Sequence, residues 1–174
     1  MALPLTHKPN TLSLHLLDRG SPSTFHWILY LSTSPTQGQT FHLINAPGSD
    51  VWTFDSQTTQ DITHGSRLLV ALELGEVEPA LHTALAERLA QVPVGYSTKF
   101  REAMTCRVWV KETLFALEEE GYLYLPVGGV QGVDRIEEEA RGWAMRDRVA
   151  GRTLVATCSS CSKRVTLTAT GAVV

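Results

Sequence analysis

The chain has 174 residues, 43% of them hydrophobic and 19% charged, with a net charge of -3. That is enough apolar surface for one domain with its own core. A near-neutral charge, scattered arginines and no interleaving of aromatic with basic residues exclude the electrostatic signature of nucleic-acid binders and of proteins held on anionic membranes. No apolar run reaches the roughly 18 residues of a membrane span. The opening MALPLTHKPN lacks the basic and apolar regions of a secretory signal. Three cysteines, an odd number, argue against a disulfide scaffold and make a reducing cytoplasm the expected compartment.

In chain order, TLSLHLLD (11–18) alternates loosely and predicts a first strand, followed by a turn at RGSPS. FHWILYL (25–31) is a strand-length apolar run rich in aromatic and branched residues. STSPTQGQ (32–39) closes a hairpin onto TFHLINA. PGSD then turns the chain into VWTFDSQ, and RLLVALELG (67–75) adds another strand ended by Gly75. The character then changes to helical spacing. EPALHTALAERLAQV (78–92) carries Pro79 near its start, and residues 93–104 form a connector. TCRVWVKETLFALEEEG (105–121) is the strongest helix, with Cys106, Trp109, Val110, Thr113 and Leu117 on one face and Gly121 as its stop. A third helix spans 134–151 with Asp134 as N-cap, and Ile136, Ala140, Trp143 and Met145 are its expected buried stripe. The glycines of VGGVQG (127–132) have neither phosphate-loop nor dinucleotide spacing and predict a mobile loop. The expected class is α+β: a small antiparallel sheet with helices packed on one face, over residues 1–151. Residues 152–174 are expected as a C-terminal hairpin or flexible tail.

Three residues carry the chemistry. His26 and His42 each follow a phenylalanine at the head of a strand, and Cys106 opens a helix behind Thr105. Simple hairpin closure sets His42 opposite Leu29, about 10 Å along the strand from His26 at ~3.3 Å per residue. This neither guarantees nor forbids two imidazoles on one face. A helix N-terminus lowers a thiol pKa. A thiol there with a histidine on a neighbouring strand is the arrangement of a nucleophile and its base. The base also needs a group to set its tautomer, and a second histidine, Asn45 or Asp55 supplies candidates. Trp27, Tyr30, Asn45 and Trp109 are the candidate substrate contacts. Aromatics at such spacing more commonly pack in a core, and Asn before Ala-Pro-Gly commonly serves a turn. The lone Cys158-Ser-Ser-Cys161 has no second ligand pair to make a zinc site, and no metal or other cofactor is called for.

His26-Trp27 with Tyr30, then His42-Leu43, then the helix-opening Cys106 resemble the circularly permuted branch of the NlpC-type papain-like superfamily. That branch holds lecithin:retinol acyltransferase-like proteins and permuted cysteine peptidases. The resemblance covers about residues 25–121 and includes the order histidine, polar residue, cysteine. It implies Cys106 as nucleophile, His26 as base and His42 as the orienting group. The acyltransferases carry Asn-Cys-(Glu/Gln)-x-Phe where this chain has Thr105-Cys106-Arg107-Val108-Trp109. The resulting expectation is a cysteine hydrolase or acyl transferase acting on a small-molecule, peptide or acyl substrate. Two alternatives are a tailoring enzyme using His26 or His42 as acid and base without covalent catalysis, and a papain-like binding module without activity. A homodimer through an exposed strand edge is a further expectation.

Overall fold

A computed structural model describes residues 6–60 and 67–161. Its elements are β1 (Thr11–Asp18), β2 (Phe25–Ser32), β3 (Gln37–Asn45), β4 (Trp52–Gln60), β5 (Leu68–Glu76), α1 (His82–Ala90), α2 (Cys106–Glu119), α3 (Gly129–Ala150) and β6 (Leu154–Thr157). The fold is α+β, with a six-stranded sheet in the order β4-β3-β2-β1-β5-β6. All neighbours are antiparallel except β5 and β6. The expected hairpin or tail over 152–174 is described only to residue 161, where β6 joins the sheet edge. The remainder lies outside the described residues. Among the described residues, no helix is long and apolar enough to cross a membrane.

Period-two alternation sorts the sheet into two faces. Trp27, Leu29 and Leu31 on β2 stand opposite Leu16, Leu14 and Leu12 on β1. Leu29 faces Phe41 on β3, and Leu43 faces Phe54 on β4. This row forms one core with Trp109, Val110 and Leu117 of α2 and Ile136, Ala140 and Ala144 of α3. Phe54 and Trp109 rings meet at 5.6 Å. Trp109 is fully buried, so truncating it to alanine costs about 3–5 kcal/mol.

The opposite face carries the even residues of β2. There His15 and Tyr30 meet His7 from the segment before β1, with ring centroids 4.9–5.1 Å apart. Burial lowers the pKa of His7, and burial with the His7 charge lowers that of His15. Both imidazoles are therefore neutral at pH 7, and among the described residues none of their ring nitrogens has a hydrogen-bond partner.

Three sequence expectations shift. Leu29 faces Phe41, not His42. The register is held by Gly38, where a Cβ would lie 2.4 Å from Tyr30 Cζ. Only glycine lets the two strands approach there. The glycine-rich stretch expected as a loop is the first turn of α3. That helix has Gly128 as its N-cap and Asp134 inside it. Gly132 packs so closely on Val127 that an added Cβ would sit 1.8 Å from its carbonyl oxygen, and Gly129 N–H donates to Glu118 Oε2 at 2.8 Å. On the same helix Met145 is exposed, while Ala144 and Asp147 take the inward positions.

Candidate functional site

The one-residue difference in register decides the site. Since Leu29 and Phe41 are opposed, His26 and His42 have the same parity and share the face turned away from the helices. They are diagonal neighbours, and His26 Nε2 lies 2.8 Å from His42 Nδ1. His42 stands directly opposite Asp55 in the β3–β4 ladder, with His42 Nε2 3.1 Å from Asp55 Oδ2. A relay thus crosses three strands, from β2 through β3 to β4. Gln57, two residues along the same strand and so on the same face, donates its amide N–H to Asp55 Oδ2 at 2.7 Å.

The donor order follows from charge. Burial pushes the Asp55 carboxyl up, but the hydrogen bonds from His42 and Gln57 outweigh it and hold the pKa below the ordinary value. Ionised Asp55 only accepts, so His42 donates from Nε2, and in the neutral tautomer this fixes, Nδ1 carries the lone pair. His26 must then donate from Nε2 into that lone pair. Its own Nδ1 is left unprotonated. Burial, with the charges of His42 and Arg19, lowers the His26 pKa to about 4, so at neutral pH the imidazole is an unprotonated base.

Cys106 is the first residue of α2. Thr105 caps that helix, its hydroxyl accepting from Val108 N–H at 3.2 Å. The β2–β3 ladder runs only from Leu29 to Ser32. It leaves the first half of β2 without a partner on its β3 side. The thiol lies within reach of the Trp27 N–H, the group that follows His26 in the chain. Cys106 is 3% exposed, and the expected lowering of its pKa is reversed. Burial raises it, and the N–H groups of Trp27, Arg107 and Cys106 with the Arg19 charge offset this only in part. The thiol makes no hydrogen bond to either imidazole and is protonated at rest.

The four expected substrate contacts have other surroundings. Trp27 and Trp109 are buried in the helix-side core and Tyr30 under the opposite face. Asn45 donates to Ser49 O at 2.8 Å and so shapes the β3–β4 turn. A cleft of about 670 Å³ lies beside the start of α2. It is lined by Val51, Trp52, Val94, Tyr96, Met104 and Thr105, the last being the residue before Cys106. Val51, Val94 and Tyr96 are among the few large apolar residues left exposed. The sequence reading missed this cleft, and it missed Arg19 and Gln57. Gln57 was findable from its period-two spacing to Asp55. Arg19 follows the Asp18–Phe25 pair at the end of the β1–β2 hairpin. Among the described residues, no group of three or more His, Cys, Asp or Glu side chains is placed to hold a metal ion.

A family model described as a family of unknown function (DUF6540) matches residues 13–124, and the chain belongs to that family. No curated protein and no solved structure matches the chain significantly. The matched span contains His26, His42, Asp55 and Cys106 and ends before α3.

Proposed function

We propose that this member of the DUF6540 family is a cysteine hydrolase or acyl transferase on the permuted papain-like plan, acting on an amide, ester or thioester. The observation that carries the reading is the hydrogen-bond order Asp55–His42–His26, which leaves His26 Nδ1 as a free base. In this reading that base serves the Cys106 thiol, which lies within reach of the Trp27 N–H. Since that thiol is protonated at rest, proton transfer accompanies attack. His26 Nδ1 takes the S–H proton as sulfur bonds to the substrate carbonyl carbon, and the C=O electron pair moves onto oxygen. N–H groups at the start of α2 receive that oxyanion. The imidazolium is stabilised through His42 by Asp55 and returns its proton to the leaving group. Water or a second nucleophile then takes the acyl group from Cys106. The cleft ending at Thr105 is the place for the substrate.

The test is a panel of p-nitrophenyl esters, thioesters and anilides, with mass spectrometry of the quenched protein. The expected result is an acyl adduct on Cys106, with adduct and turnover both lost in a folded Cys106→Ala variant. Turnover retained in that variant removes the reading.

The raised thiol pKa and the missing thiol–imidazole bond favour one alternative, acid–base catalysis by His26 on a bound metabolite without a covalent intermediate. There Cys106→Ala keeps most of the rate and His26→Ala loses it.

A further inference from the structure

At the opposite edge of the sheet from the relay, the chain leaves β6 through Cys158, Ser159, Ser160 and Cys161. Both cysteines are free thiols, and their sulfurs are 3.1 Å apart. Cys158 is 3% exposed and belongs to the core, with Cys161 packed against it and half-buried. The turn is held from both sides. Cys158 N–H donates to Glu73 O on β5 at 2.8 Å. The Glu139 carboxylate on α3 accepts from Ser159 N–H at 2.9 Å and from the Ser159 hydroxyl at 2.9 Å. The same carboxylate lies 3.6 Å from Cys158 Sγ. Cys161 donates toward Cys158, and Cys158 toward Glu139, so a proton path leads from the outer thiol to a carboxylate. A cleft of about 130 Å³, lined also by Lys8, Glu73 and Glu76, opens beside Cys161.

We infer that Cys158 and Cys161 are a reversible thiol-oxidation site that closes to an intramolecular disulfide with a small-molecule disulfide as oxidant. Cys161, the more exposed sulfur, attacks one sulfur of the oxidant, and its proton passes toward Glu139. The oxidant's S–S bond breaks and the first small thiol leaves. Cys158 sulfur then attacks Cys161 sulfur, loses its proton and expels the second small thiol. Two protein thiols are oxidised, and one disulfide is reduced to two thiols. The pair lies apart from Cys106, so its oxidation is separable from acylation of the candidate site.

The experiment incubates the full chain with oxidised glutathione and maps thiols by differential alkylation and mass spectrometry. The expected product lacks two hydrogens and contains a Cys158–Cys161 linked peptide, while Cys106 remains a thiol. Closure in the native chain should be at least about tenfold faster than in urea, because the fold holds the two sulfurs within reach. Cys158→Ser should stop at a single glutathione adduct on Cys161, and Glu139→Gln should slow wild-type closure. Adducts that accumulate on the native protein without ring closure, or equal rates in native and unfolded chains, overturn the inference. Should Cys158→Ser fail to fold, Cys161→Ser supplies the check: it must form no linked product and take up glutathione on Cys158 more slowly than the wild-type chain reacts.

Discussion

Asp55 determines which nitrogen of His26 is free, although it does not touch it. Its carboxylate makes His42 donate from Nε2, and that makes His26 donate from Nε2. An amide at position 55 can donate to His42 and allow the reverse order. Asp55→Asn is therefore expected to lower kcat by about 10²- to 10⁴-fold with little change in KM, the pattern for a base held in the wrong tautomer. Steady-state kinetics on any ester found to acylate Cys106 check this. An unchanged kcat would make the relay a structural tie between strands. The burial that lowers the His26 pKa also raises that of Cys106. Both groups are thus neutral at rest.

At the scale of elements, the strands and α2 were legible because their signals are local. Alternation and branched residues mark β1 to β5, and Thr105 and Gly121 bracket α2, with Gly121 at φ 79°. The inward positions Cys106, Trp109, Val110, Thr113 and Leu117 are all buried as their spacing predicts. The start of α3 was not legible, because Gly129 and Gly132 have low helix propensity. They are used there for a close approach to Val127 and a hydrogen bond from Gly129 N–H to the Glu118 carboxylate, both tertiary effects. Gly132→Ala raises helix propensity yet is expected to destabilise the fold by about 1–3 kcal/mol through the clash with Val127 O, measurable by urea unfolding. A neutral or stabilising result would place α3 further from that carbonyl. The pairing of the two histidines was half legible. Their strands and their order were plain, but the register depends on Gly38 packing against Tyr30, which no periodicity reports.

For the whole molecule, acid is the expected weakness. Burial lowers the pKa of His7, and burial with the His7 charge lowers that of His15 well below 6.5. Burial, with the His42 and Arg19 charges, lowers His26 to about 4. Below pH 6.5 the unfolded chain binds protons that the folded chain does not, so stability rises with pH in that range. The contribution of these groups is complete above the unfolded value of 6.5 and is lost as pH falls toward the folded values. Urea midpoints measured from pH 7.5 to 5 should fall, and His15→Phe should flatten the curve. A wild-type midpoint that holds or rises toward pH 5 would mean that His7 and His15 are solvated in the native state. Two regions of the sheet stand apart: the relay lies across β2, β3 and β4, and the dithiol at the far edge beyond β5.

The most direct test of the central claim is the tautomer of His26, read by long-range ¹H–¹⁵N correlation on the labelled protein across pH. The account predicts Nε2–H on both His26 and His42, with His26 Nδ1 unprotonated from neutral pH down to about 4, and loss of that pattern in Asp55→Asn. A proton on His26 Nδ1, or an imidazolium at neutral pH, would contradict the account, because His26 would then offer no lone pair to act as a base.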